Sequence, residues 1–295
     1  MTPDRSKQVA RLLGFAAGVV LIAWAAWLGL ANADLDRFVA ASRAPLAWMA
    51  VAVALTLAVT GVLFWVVTLN FDADPRVGLG RMTQLISASS LLNYLPFRPG
   101  LLGRAVYLKR MHRLPLRQSM VVWLIVMGVS AMVYAVAVAA FTLSPPGRSS
   151  AGVSVAVLAL LVLTPAAGPV AARLLGRPMC RGWSWIPLRT IETLIAGARL
   201  WLALKAVGAE VGFTQAVAAA AAGNLIAVLP IVPNGLGLRE WIAAGLLAAN
   251  RLVPLEAAAL AAVIDRGIEV IVVVPVGLLA VQALRRQNAG ERTQQ

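Results

Sequence analysis

The sequence predicts an all-α integral membrane protein. It reads as six spanning helices plus two re-entrant hairpins in an inverted-topology repeat, with eight full crossings as the alternative. Three observations lead there. Hydrophobic residues make up 60% of the 295-residue chain and charged residues 13%, against about 45–50% and 25% in soluble domains. Several apolar runs reach the roughly 20 residues needed to cross a hydrocarbon core. Finally, two stretches repeat one another: S-L-L-N-Y-L-P-F-R-P-G-L-L-G-R at Ser90–Arg104 and N-L-I-A-V-L-P-I-V-P-N-G-L-G-L at Asn224–Leu238. Aligned without gaps, Leu95, Pro96, Pro99, Leu102 and Gly103 meet Leu229, Pro230, Pro233, Leu236 and Gly237. Each copy precedes a Pro-Leu (Pro115-Leu116, Pro254-Leu255) that opens a long apolar span.

The elements follow in order. Leu12–Ala31 is apolar and tryptophan-rich near its end, longer than a signal-peptide core, and is expected to be a retained span. Pro45–Leu69, Ser119–Leu143, Ala151–Ala172, Leu188–Val207 and Pro254–Leu284 are the other spans. Met82–Phe97 and Thr214–Val232 are weaker, and each runs into the repeated Pro-x-x-Pro. No polar stretch is long enough to bury a core of its own, so residues 1–295 form one membrane domain. Its repeat halves are 45–143 and 188–284, joined by the span at 151–172.

Arginine and lysine orient the spans, because short cytoplasmic loops carry an excess of them. With Arg5, Lys7 and Arg11 inside and Met82–Phe97 turning back, Arg98, Arg104, Lys109, Arg110, Arg113 and Arg117 also stay inside. Arg173, Arg177, Arg181 and Arg189 return to that side, as do Arg285, Arg286 and Arg292. Both termini are then cytoplasmic, in the inner membrane of a bacterial cell. If Met82–Phe97 crossed, the basic loop after it would be external. The first broken segment thus enters from the cytoplasm and the second from outside, the signature of an inverted repeat with a site near the bilayer midplane. Irregular backbone at that depth lines a cavity or is buried in protein.

Several chemistries are excluded. A single cysteine, Cys180, forms no intrachain disulfide or multi-cysteine metal site, and the one histidine, His112, argues against zinc. No metal or cofactor is expected. The net charge of +14 is distributed by topology, so no nucleic-acid partner is expected either. Phosphate-binding glycine loops and nucleophile elbows are missing, and transport is expected to proceed without ATP.

Candidate site residues are ionisable or amide side chains at membrane depth, which cost about 2.5–3.5 kcal/mol each on insertion scales and face a cavity or a partner. Asp265, Arg266 and Glu269 lie on the last span, with Arg266 and Glu269 spaced to pair and Asp265 and Glu269 on one face. They are either a polar lining or a self-neutralising cluster. Glu192 and Arg199 lie two turns apart, with Asp265 or Arg266 as the opposite partner. Asn93 and Asn224 sit inside the two hairpins, where an amide serves freed backbone groups or a phosphate. Arg98 and Arg104 flank the first turn, and Arg239 and Glu240 follow the second. Arginine forks bind phosphate bidentately, so Arg98 and Arg239 are candidate clamps. Arg104, Lys109, Arg110, Arg113 and Arg117 read as a basic amphipathic stretch at the cytoplasmic surface.

Pro233–Glu240, followed by I-D-R-G-I-E at Ile264–Glu269, resembles the lysylphosphatidylglycerol synthase transmembrane family, flippase-like proteins. The family's Pro-Gly-Gly-Leu-Gly-x-x-Glu stretch is matched with Asn234 in place of the first glycine. Its Leu-Pro-x-Arg-x-Gly-Glu-x-x-Arg stretch is matched by Leu95, Pro96, Arg98, Gly100 and Arg104, with Leu101 where the glutamate is usual. The resemblance covers about 45–284 and implies translocation of an aminoacylated phospholipid, a lipid-linked sugar or a hopanoid. With no aminoacyltransferase domain in the sequence, synthase activity is not expected. The expected partner is an anionic phospholipid or a polyprenyl or glycolipid. An integral-membrane transferase with Asp265, Glu269 or Glu240 as base, and a non-catalytic partner of a lipid-modifying enzyme, stay open.

Overall fold

The computed structural model describes residues 16, 18–25, 27–28, 43–71, 76–95, 99–142, 159, 169–174, 176, 182–228 and 235–293. Among them there is no strand. The helices are α1 (Arg43–Thr68), α2 (Leu79–Leu92), α3 (Pro99–His112), α4 (Leu116–Thr142), α5 (Trp185–Ala206), α6 (Phe213–Val228), α7 (Leu238–Ala249) and α8 (Leu255–Thr293). Residues 16, 18–25 and 27–28 are also helical, ahead of α1.

By length and composition Ala44–Thr68, Leu116–Thr142 and Leu255–Gln287 suffice to cross a membrane. The helix α5 is long enough as well, with 22 residues, but Arg189, Glu192, Arg199 and Lys205 interrupt its apolar surface. The expected span at 151–172 lies almost wholly outside the described residues.

Each broken segment is a pair of short helices. The arms α2 and α3 have 14 residues each, α6 has 16 and α7 has 12. At 1.5 Å per residue these reach about 18–24 Å, short of a hydrocarbon core about 30 Å thick. The first hairpin is larger than the sequence implies. Its second arm, α3, takes the stretch read as a basic surface helix only as far as His112, with Arg113 in the turn beyond and Arg117 on α4. That reading holds for the exposed residues only. Lys109, Arg110, Arg113 and Arg117 are exposed, whereas Arg104 and His112 are buried. A second departure concerns Arg189. The charge count put it in a cytoplasmic loop, yet it is buried in the first turns of α5, where Glu192 one turn later pairs with it.

The packing of the two halves corresponds. The first arm α2 packs on α1 and α8, while α6 packs on α5 and α4. The second arms α3 and α7 pack on α4 and α8 respectively, and α1 packs on α5. Exchanging α1–α4 with α5–α8 leaves this set of pairings unchanged. Even the close approaches repeat. A Cβ on Gly61 of α1 would lie 2.6 Å from Thr83 Oγ1 of α2, and one on Gly197 of α5 would lie 2.7 Å from Val217 Cα of α6. Past each second arm the chain turns through a left-handed residue, Arg113 (φ 51°) or Arg251 (φ 54°), before its Pro-Leu.

Two apolar cores occupy opposite ends of the bundle. One gathers Met49 from the start of α1, Ala203 and Leu204 from the end of α5, the arms α6 and α7, and Ala258 and Ala259 from the start of α8. The other gathers Leu63, Phe64 and Val67 from the end of α1, Trp185 from the start of α5, the arms α2 and α3, and Ala280 and Leu284 of α8. The helices α1 and α5 therefore run antiparallel, and each hairpin serves the opposite end. In α6 the small side chains from Ala216 to Gly223 are all buried, which lets the helices approach closely.

Candidate functional site

Between the two cores lies a cavity of about 240 Å³. Much of its wall comes from matching positions of the two halves, although Leu57, Phe64, Val126, Met127, Arg199, Arg239 and Glu269 have no counterpart in it. The first hairpin contributes Ser90, Asn93 and Tyr94, and the second contributes Asn224, Ala227 and Val228. These are the positions that the gapless alignment of the two motifs sets opposite one another. Val53, Thr56 and Thr60 line it from α1 at the same spacing as Arg189, Glu192 and Ala196 from α5. Tyr134 of α4 and Val273 of α8 also match, counted from their Pro-Leu.

The polar side chains reach the cavity for local reasons. Thr56 and Thr60 donate their hydroxyls to the carbonyls of Ala52 (2.9 Å) and Thr56 (2.8 Å), which satisfies the proton and leaves oxygen lone pairs for a ligand. Asn93 caps the end of α2, its backbone N–H donating to Ser89 O at 2.9 Å. Its Oδ1 is buried and has no hydrogen-bond partner among the described residues.

One wall is an ion network. Arg199 reaches Asp265 Oδ1 through Nη2 at 2.8 Å and Glu269 Oε2 at 2.9 Å. Arg239, at the start of α7, reaches Glu269 Oε2 at 3.1 Å and Asp265 Oδ2 at 3.4 Å. Arg266 donates to Glu269 Oε1 at 2.9 Å and lies 3.5 Å from Glu240. Three arginines thus face three carboxylates, and the network is formally neutral. Across the cavity Arg189 pairs with Glu192 and lies 5.0 Å from the Tyr134 ring centroid. Buried charges are tolerable when paired and hydrogen-bonded in this way, and breaking one pair costs far more than removing both partners together.

The expected residues separate into groups. Asn93, Glu192, Arg199, Asn224, Arg239 and Glu269 line the cavity. Asp265, Arg266 and Glu240 stand behind that wall as its ionic support. The expected Arg266–Glu269 pair forms, as does Arg199 with Asp265; Glu192 takes Arg189 as its partner. Arg104 is buried next to Phe64, its guanidinium 4.0 Å from the ring centroid. Arg98 lies outside the described residues.

Sequence reasoning missed Tyr94, Tyr134 and Arg189. Tyr94 OH donates to Glu269 Oε1 at 2.9 Å, and Arg266 lies 4.9 Å from its ring centroid, so the first hairpin is tied to the network behind the second. The available signal was its place beside Asn93 within the repeated motif. Tyr134 stands alone in an apolar span, and a lone phenol there was a comparable signal. The tip of the second hairpin is also held from outside the repeat. Gly237, at φ 77°, brings its backbone against Gly18, and Trp241 Nε1 donates to Leu21 O at 2.9 Å.

Searches of the curated proteins and of the solved structures each returned no match. The family profile described as the lysylphosphatidylglycerol synthase TM region matches residues 12–277, which include both hairpins, every residue that lines the cavity and all of the ion network. The chain belongs to this family.

Proposed function

We propose that this protein is a lipid flippase-like membrane protein that binds the polar head group of an anionic or glycosylated lipid in the central cavity and carries it between leaflets. One observation carries the reading: aligned positions of two oppositely placed hairpins converge on one cavity lined by polar side chains, Asn93 and Asn224 among them. The antiparallel course of α1 and α5, with the hairpins at opposite ends, supports an inverted-topology repeat whose two states expose the cavity to one leaflet at a time. Six spans and both termini on the cytoplasmic side of a bacterial inner membrane follow from the same scheme.

The paired carboxylates favour binding over general-base chemistry. Glu269 already accepts from Arg199, Arg239, Arg266 and Tyr94, so both its oxygens are committed to protein donors. Arg199 and Arg239 serve as the cationic wall, with Asn93 and Asn224 bonding the head group.

The test fills the cavity from each hairpin in turn. Ser90→Trp and Ala227→Trp change aligned positions of the wall. Vesicles of phosphatidylcholine carrying the protein and a fluorescent phosphatidylglycerol or glycolipid report translocation by dithionite quenching. Both variants are expected to lose translocation while keeping their elution profile in detergent. Wild-type rates in both would overturn the reading.

A further inference from the structure

In the second half every cavity arginine has an acid. Arg104, on α3 of the first half, has none. It is 9% exposed, and no carboxylate pairs with it among the described residues. The sequence explains why: α1, α2, α3 and α4 contain no aspartate or glutamate. Its described interaction is with Phe64, whose ring centroid lies 4.0 Å from the guanidinium carbon. Packing against a ring engages a guanidinium through its π-facing side, and the five N–H donors at its edge are suited to a phosphate. Phe64 is also a wall of the central cavity, so a single ring separates this unpaired cation from the space where a head group would sit. An isolated buried charge is retained at high cost unless something completes it.

We propose that Arg104, seated behind the Phe64 wall and outside the cavity lining, is an anion anchor that binds a phosphate or phosphodiester group reaching past that ring. The arginines of the second half, already matched by carboxylates, hold the helices together and shape the wall. The proposal deepens the lipid reading by naming the charged part of the ligand and the residue that takes it. It is tested by binding rather than by translocation, so the two fail separately.

Protein in phosphatidylcholine nanodiscs is titrated with dihexanoyl phosphatidylglycerol and, separately, with inorganic phosphate, and the shift in unfolding midpoint is followed. Phosphatidylglycerol is expected to raise the midpoint, and Arg104→Gln to weaken its apparent affinity by about tenfold or more, the scale of a lost charge-assisted contact. Arg104→Lys keeps the charge without the fork; it falls between the two and serves alone if the glutamine variant does not fold. Arg117→Gln, an exposed change on α4, leaves the affinity unchanged. Without ligand, Arg104→Gln should melt at or above the wild-type midpoint, because it removes an unpaired buried cation. If inorganic phosphate produces an Arg104-dependent shift as large as the lipid does, the anchor stands and its ligand is a free anion. Unchanged affinity in Arg104→Gln, or no binding of either probe to the wild type, overturns the proposal.

Discussion

Counted from the Pro-Leu that opens each, α4 and α8 place different chemistry at matching positions. Asp265, Arg266 and Glu269 of α8 fall on Val126, Met127 and Ser130 of α4. The contrast extends to the spans ahead of the hairpins, where Arg189 and Glu192 of α5 match Val53 and Thr56 of α1 in the cavity wall. The helical frame corresponds between the two, with its glycine contacts, hairpins and left-handed turns, while among the described residues the buried ion pairs fall in the second half. A frame set by small residues and chain breaks accommodates different side chains along its wall. A charge network cannot be half kept, since a lost partner strands a buried ion.

That contrast is open to direct attack, and the largest effect falls on the ionic half. Glu269→Ala removes the acceptor shared by Arg199, Arg239, Arg266 and Tyr94. It is expected to cost about 3–5 kcal/mol, read as loss of folded protein in thermal or denaturant unfolding in detergent. A wild-type midpoint would mean that the network is not load-sharing at all. Tyr94→Phe deletes one hydrogen bond to that carboxylate and should cost about 1.5–3 kcal/mol in the same measurement. Gly61→Val and Gly197→Val probe the shared frame, and overpacking at each should cost about 1–3 kcal/mol. The two glycine penalties should be alike, because both lie where a span meets its first hairpin arm. A large penalty at one and none at the other would break the correspondence. Smallest of all, Arg117→Gln on the exposed face of α4 should stay within about 0.5 kcal/mol of wild type.

Much of this was legible in the chain. The paired Pro-x-x-Pro motifs marked where each pair of short helices breaks, and three-residue spacing identified the Arg266–Glu269 pair. The ends of the hairpins were not legible, because helix α3 begins at Pro99 and carries basic residues that mimic a loop. Distinguishing Arg104 from Lys109 and Arg110 required knowing which side of α3 faces Phe64. The role of Tyr94 was invisible for a different reason: its partner Glu269 lies on α8, far along the chain, and no local spacing brings the two together. The sequence likewise could not say that Arg189 turns inward, since a positive charge at the edge of a span serves a cytoplasmic loop equally well.

The central claim is that the hairpins enter from opposite faces of the membrane, and cysteine accessibility tests it most directly. In a Cys180→Ser background, Arg117→Cys and Asn250→Cys place single thiols at exposed positions beyond the second arm of each hairpin. In intact cells a membrane-impermeant maleimide should label Asn250→Cys, and should label Arg117→Cys only after permeabilisation. Labelling of both from outside would mean that α2 and α6 each cross the bilayer, and it would contradict the inverted arrangement on which the cavity reading stands.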